Sequence, residues 1–205
     1  MNESLNVMFG GSFDPFHNGH LAMIESAMQA IKINACFVVP NYQSPEKKNS
    51  FFSNNQRIKS IQALCDTLSY YKKLGTQCHC VDYEIKKKEP CYTIDTISYL
   101  RTRYEASHWA LLIGLDQLLN FHTWKDYKKL LKNFTLIVVQ REIHGNSDLS
   151  SYIDKKLMSS SMQGLIMLNN DLVKVSSTEI KKTFQQNERL YGVPEAVRQV
   201  LEGAQ

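Results

Sequence analysis

His17 and His20 close the run Gly10-Gly11-Ser12-Phe13-Asp14-Pro15-Phe16-His17-Asn18-Gly19-His20, which packs glycines, a hydroxyl and two imidazoles into one turn. Glycine lets a backbone come close to a ligand, and the N-terminus of a following helix presents unpaired N–H groups to an anion. Asp14-Pro15 is a turn signal that fixes the loop before the helix starts. On the first turn of a helix, residues three apart share a side, so both imidazoles would face one ligand. This arrangement suits hydrogen bonding around phosphoryl oxygens. An H-x-x-H pair can also ligate metal, but no third ligand stands at a recognisable spacing. The dinucleotide pattern G-x-G-x-x-G and the P-loop G-x-x-x-x-G-K-(S/T) are both absent from the sequence.

Three further segments could act with that turn. Val175-Ser176-Ser177-Thr178-Glu179-Ile180-Lys181-Lys182 sets consecutive hydroxyls at a helix start. Ser176-x-x-Glu179 is a capping box, and the same turn offers phosphate donors; the two roles are compatible. Lys181 and Lys182 are either cations for a phosphate or solvated helix lysines. Ile113-Gly114-Leu115-Asp116 places a glycine and an acid after an apolar strand, where a carboxylate could accept from sugar hydroxyls. Trp124 follows, a core aromatic or a stacking platform. Pro90-Cys91-Tyr92-Thr93-Ile94-Asp95-Thr96 reads as a turn with a helix cap at Thr93 or nearby.

Strand-like and helix-like segments alternate between these motifs. Leu5–Phe9, Ala35–Pro40, Gln77–Ile85, His108–Ile113, Phe134–Gln140 and Leu165–Leu168 read as strands. Leu21–Ile31, Arg57–Tyr71, a segment from Thr93 or Ile94 to Tyr104, Gln117–Asn120 and Trp124–Leu131 read as helices, followed by Thr178–Gln186 and Pro194–Glu202. Asn41–Asn54 and the serine-rich Gly145–Ser161 read as surface excursions. The order predicts an α/β, Rossmann-like, doubly wound and mainly parallel sheet with C-terminal helices. One domain over 1–205 is expected, with a C-terminal helical part from about 175 to 205. Such sheets bind ligands beyond the C-terminal strand edges at the topological switch point, where the first motif falls.

Of the 205 residues, 43% are hydrophobic, enough for a real core, and no apolar run approaches a membrane span. No signal-peptide pattern precedes the first strand, so the cytoplasm is the expected compartment. The five cysteines show no repeated metal spacing. In a strand, Cys78 and Cys80 would point to one face and His79 to the other, which favours buried reduced thiols over a zinc site. The net charge of +4 suits polyanionic substrates. Lys86-Lys87-Lys88 reads as a solvated loop, with no interleaved aromatics and no nucleic-acid motif.

The motifs together resemble the nucleotidylyl transferases and, more narrowly, the bacterial nicotinate-mononucleotide adenylyltransferases. Gly10–His20 is similar to G-G-(S/T)-F-D-P-x-H-x-G-H, and Val175–Lys181 to I-S-S-T-x-I-R. Ile113–Trp124 is similar to I-G-x-D-x-L-x-x-F-x-x-W, and Pro90–Thr96 to P-S-Y-T-x-x-T. The resemblance implies transfer of AMP from ATP to nicotinate mononucleotide, giving deamido-NAD and pyrophosphate, with Mg²⁺ carried by ATP. It gives His17 and His20 the phosphates and the transition state. It places Gly10, Gly11, Ser12, Phe13, Gly114 and Asp116 around the nucleotide, and Ser176, Ser177, Thr178 and Lys181 on its outer phosphates. Tyr92, Thr93, Trp124 and Lys47 fall to the mononucleotide, Thr93 helping to hold its carboxylate and Trp124 stacking on the pyridine ring.

The chain departs from the family twice. Lys181 stands where the family has arginine, keeping the charge without the planar fork. Ser44-Pro45-Glu46-Lys47 stands where many relatives have P-P-H-K. The implied partners are the two small substrates, with no nucleic acid and no membrane; a homo-oligomer stays open. Competing readings are a nicotinamide-mononucleotide enzyme, a phosphopantetheine adenylyltransferase and a non-catalytic nucleotide sensor. Phosphopantetheine enzymes typically place threonine at the position of His17 and lack the Trp124 region.

Overall fold

A computed structural model describes residues 5–43, 50–71, 76–140, 152–157, 162–169, 175–186 and 188–203. The strands are β1 (Leu5–Gly11), β2 (Ala35–Pro40), β3 (Gln77–Cys80), β4 (His108–Gly114), β5 (Thr135–Gln140) and β6 (Gly164–Asn169). The helices are α1 (Asn18–Ala30), α2 (Asn54–Tyr71), α3 (Tyr83–Lys87), α4 (Thr93–Arg101), α5 (Leu115–Leu119), α6 (Tyr127–Asn133), α7 (Ser177–Gln185) and α8 (Glu195–Glu202).

Side-chain alternation along each strand builds two cores. Val7 and Phe9 of β1, Cys36 and Val38 of β2, and Ile137 and Val139 of β5 face one side, against Ile24, Ile61, Val197 and Leu201 of α1, α2 and α8. Met8, Phe37, Val39, Leu136 and Val138 face the other, against Ile97, Leu118 and Leu130 of α4, α5 and α6. Fully burying each such aliphatic or aromatic side chain contributes about 1.5–3 kcal/mol. Only helices on both faces can cover a sheet that is apolar on both sides. The strands lie in the order β3-β2-β1-β4-β5-β6, with every pair parallel, so the expected doubly wound sheet is observed.

The order reverses between β1 and β4. Their pairing runs from Leu5↔His108 to Met8↔Leu111. Beyond it each strand stays registered with its outer neighbour, Gly11 with Pro40 and Gly114 with Val139. Two glycine-ended strands thus part at their C-terminal edges and open the crevice that this topology offers a ligand.

Several elements differ from expectation. Gln77–Ile85 is a strand only to Cys80, and Tyr83–Lys87 is a helix that buries Glu84 and Ile85. Lys86 and Lys87 therefore form a last helical turn, not a loop, although all three lysines are solvated as expected. Trp124 precedes α6, as the residue closing a 3₁₀ turn over Phe121–Thr123. Within Gly145–Ser161 the described part includes a π turn, Ile153–Leu157, whose Leu157 is buried in the second core. The alternation expected at β3 holds: Cys78 is in the first core, while His79 stacks on Phe37 of the second. Cys36, Cys65 and Cys78 are buried free thiols.

Glu84 is a carboxylic acid inside the protein, 6% exposed, accepting from Thr96 Oγ1 at 2.6 Å. Burial pushes it up to about 7, against the opposing effects of that hydrogen bond and of Lys87. The folded protein therefore holds this proton more tightly than the unfolded chain does. The resulting stability is full below the ordinary value of 4.5 and is lost as pH rises through about 7. Glu84→Gln keeps an acceptor for Thr96 and removes the titration. Urea midpoints at pH 5 and pH 8 should differ less in the variant than in the wild type, and an undiminished difference would acquit Glu84.

Candidate active site

The glycine loop at the end of β1 is built around two buried charges. Asp14 is 3% exposed; its Oδ1 accepts from Phe52 N at 2.8 Å and its Oδ2 from Phe51 N at 2.9 Å. Arg57 of α2 is 1% exposed and spans the loop from beneath. Its Nη1 donates to Ser12 O at 2.6 Å, and its Nη2 to Asn41 O at 2.9 Å and Asn54 Oδ1 at 2.6 Å. Burial pulls the guanidinium below its usual value, and the Asp14 charge opposes that shift. Asn41 N closes the frame by donating to Gly11 O at 2.9 Å. Phe13 has a positive φ of 44°, and a Cβ on Gly11 would come within 3.0 Å of its ring. The peptide bond between Asp14 and Pro15 is cis.

Arg57 was not legible as a site residue, yet a signal existed. It lies on the helical stripe Arg57, Ile61, Leu64, Cys65 and Leu68, so its side chain had to be buried with a partner.

His17 is the N-cap of α1 and His20 the third residue of the helix. Their rings stack with centroids 3.7 Å apart, so they share one side as expected. His17 N donates to His20 Nδ1 at 3.2 Å, an imidazole version of the reach-back in a capping box. An Nδ1 that accepts carries no proton, so the ring proton sits on Nε2. Phe9, Phe13 and Phe16 stand 5.0–6.0 Å from the His20 ring and fix its plane. The first helical N–H, that of Asn18, is taken by Gly192 O at 2.8 Å from the segment before α8.

The other motifs converge on the same edge of the sheet. Gly114 ends β4, and a Cβ there would lie 2.5 Å from Asp116 Oδ1. The glycine therefore allows the exposed Asp116 carboxylate to fold back toward the strand end. Ser176 caps α7, accepting from Glu179 N at 3.2 Å and donating to Glu179 Oε2 at 3.0 Å, so the serine half of the predicted capping box forms while Glu179 meets the Ser176 hydroxyl and not its backbone N–H. Ser177 and Thr178 occupy the first turn of α7, where backbone N–H groups have no intrahelical acceptor. Lys181 Nζ lies 2.5 Å from Asp14 Oδ2, joining α7 to the glycine loop.

On the other face of the sheet, where α4 and Trp124 pack on the second core, Tyr92 is the N-cap of α4 without a side-chain cap, and Thr93 is its first helical residue, not the cap. Asp95 N already donates to Tyr92 O at 2.9 Å, which leaves the N–H groups of Thr93 and Ile94, ahead of the first intrahelical bond, to meet a ligand. Trp124 is half-buried and tilts against Phe121 at 4.8 Å. Lys125 ties the Trp124 segment to α4, with Nζ 3.3 Å from Asp95 Oδ2 and 4.3 Å from the Tyr92 ring centre. Lys47, with Ser44, Pro45 and Glu46, lies outside the described residues. Among the described residues no group of three His, Cys, Asp or Glu could hold a metal ion, and no helix is long and apolar enough to cross a membrane.

Fold and loop together define a nucleotide-handling α/β protein that offers hydrogen-bond donors at its switch point. The cytidylyltransferase-like family model matches residues 8–183. The "Probable nicotinate-nucleotide adenylyltransferase" of Leptospira interrogans is 34% identical over 189 residues, covering 91% of this chain and 89% of the relative. A protein of the same name in Chlorobium phaeobacteroides is 34% identical over 176 residues, covering 86% and 85%. The solved nicotinic acid mononucleotide adenylyltransferase of Plasmodium falciparum, complexed with NaAD, has the same fold. Its TM-score is 0.66 at 18% identity, over 98% of this chain and 96% of that one. The chain belongs to the cytidylyltransferase-like family and, within it, to the nicotinate-nucleotide adenylyltransferases.

If Arg57 carries the loop, Arg57→Met leaves Ser12 O and Asn41 O without their donor. The expected loss is about 3 kcal/mol in equilibrium unfolding. A loss below about 1 kcal/mol would show that the loop closes without it.

Proposed function

We propose that this chain transfers the adenylyl group of ATP to nicotinate mononucleotide, forming deamido-NAD and releasing pyrophosphate, in the cytoplasm and as one domain. The observation that carries this reading is that the glycine loop and the stacked His17 and His20 follow β1 at its parting from β4, with α7 tied to that loop through Lys181 and Asp14. The 34% identity to relatives named for this activity supports it.

The chemistry needs no protein nucleophile. A phosphate oxygen of the mononucleotide attacks the α-phosphorus of ATP, a new P–O bond forms, and the bond to the β-phosphate oxygen breaks. Pyrophosphate leaves with the electron pair. The protein's contribution is alignment of two anions and hydrogen bonding to charge that builds at the α-phosphate and the leaving group. His20, with its proton on Nε2, is a donor toward those oxygens, and His17 acts beside it. Backbone donors of Gly10, Gly11, Ser12 and Phe13 face the same phosphates, and Ser176, Ser177 and Thr178 the outer ones. Gly114 gives the nucleotide room, and Asp116 accepts from its sugar. Mg²⁺ carried by ATP would neutralise phosphate charge while keeping much of its water and needing few protein ligands.

The mononucleotide lies between α4 and the Trp124 segment. N–H donors at Thr93 suit a carboxylate, Trp124 presents a ring face to the pyridine, and Tyr92 lines the approach.

Purified protein with ATP, Mg²⁺ and each mononucleotide in turn tests the assignment. Pyrophosphate release should be fastest with nicotinate mononucleotide; release with neither mononucleotide removes the proposal. His20→Ala should lower kcat by about 10²–10³ with an unchanged circular-dichroism spectrum, as loss of one transition-state donor does. Wild-type turnover in that variant would take His20 out of the chemistry. Trp124→Ala should raise the KM for the mononucleotide about tenfold and leave the KM for ATP alone. Equal effects on both would return Trp124 to a packing role.

A further inference from the structure

The contact between Lys181 and Asp14 joins parts of the chain 167 positions apart. We propose that Asp14 is a positioning residue: through Lys181 it docks α7 against the glycine loop, so that Lys181 is a strut between two halves of the phosphate site and not a phosphate ligand. This rests on the adenylyl-transfer reading above.

Geometry carries the assignment. Lys181 follows Ser177 by four residues and Thr178 by three, so all three share one face of α7. Fixing the lysine end therefore sets the rotation of the helix and the direction of its first-turn donors. Ile180 is buried in the first core, and Phe184 packs at 4.9 Å from Phe52 and 5.8 Å from Phe51, the two residues whose N–H groups hold Asp14. The strut thus has an apolar flank on the same helix. Lys181 Nζ also lies 5.9 Å from the Phe51 ring centre, and only 21% of its side chain is exposed.

Charge balance makes release unfavourable. Asp14 is a carboxylate with 3% exposure, and if Lys181 turned to a nucleotide it would keep, among the described residues, two backbone donors and the field of Arg57. Leaving a buried charge under-compensated is more costly than the gain from a cation at a hydrated phosphate. Both Asp14 oxygens already accept a backbone N–H, which leaves room for a single-point amine at Oδ2. An ammonium meets that geometry without needing two free oxygens.

The test is a double-mutant cycle with Lys181→Met, Asp14→Asn and the pair, read by calorimetric binding of a non-hydrolysable ATP analogue and by steady-state kinetics. Each single variant should weaken analogue binding and raise the KM for ATP about tenfold, with kcat within about twofold and the KM for the mononucleotide unchanged. The double variant should be no worse than the worse single, because both break one strut. Asp14→Glu, which keeps the charge but lengthens the strut, should also weaken the analogue. Three results overturn the proposal: additive losses, a Lys181→Met effect on kcat that persists beside Asp14→Asn, or wild-type analogue affinity in Lys181→Met. Analogue binding needs no mononucleotide, so the cycle reads the strut even if the wild type releases no pyrophosphate, the result that would sink the activity itself.

Discussion

A carboxylate and a guanidinium withdrawn from water must find their hydrogen bonds in the protein, and in this chain they find most of them in the backbone of the segments around the glycine loop. Asp14 collects the N–H groups of Phe51 and Phe52, and Arg57 donates to the carbonyls of Ser12 and Asn41. These four contacts join a charge to a main-chain group, so what they fix is the path of the loop itself. Displacing that path would strand a buried charge, a penalty larger than the total of many surface contacts. The stacked imidazoles, the glycine ends of two strands and the start of α7 all take their places from this frame.

The sheet supplies what the loop cannot. Parallel strands bring the ends of β1 and β4 side by side although about a hundred residues separate them in sequence, and the reversal of strand order leaves a gap between those ends. Donors held in a fixed array need no reorganisation as charge develops, which is where such a site draws its catalytic power.

The alternation of apolar segments made the doubly wound sheet readable, because period-2 and period-3.6 patterns follow from which faces must be buried. Local motifs were readable for a related reason: Ser176-x-x-Glu179 and Gly10–His20 act through neighbours in sequence, and the serine cap on Glu179 N and the stacked histidines formed as expected. Contacts between distant segments left little local trace. Asp14 looked like half of a turn signal, Lys181 like a helix cation, and Arg57 like the edge of an amphipathic helix. Their partners lie tens to more than a hundred positions away. Gln77–Ile85 misled because alternation continues past Cys80, while burial of Glu84 and Ile85 on one side of a short helix satisfies the same residues.

Gly192 has a φ of +77°, and Val175 side-chain carbon would lie 2.8 Å from any Cβ placed there, so this turn is built for glycine. Its carbonyl meets the first N–H of the helix that bears the histidines. In a chain made from the N-terminus onward, a loop made early is here completed by a residue made much later. The strands and the histidines can be in place while the helix entrance still lacks its acceptor. Assembly of this centre is therefore timed by the synthesis of a distant downstream turn, and a nascent chain stopped short of Gly192 carries the signature residues without their finished setting.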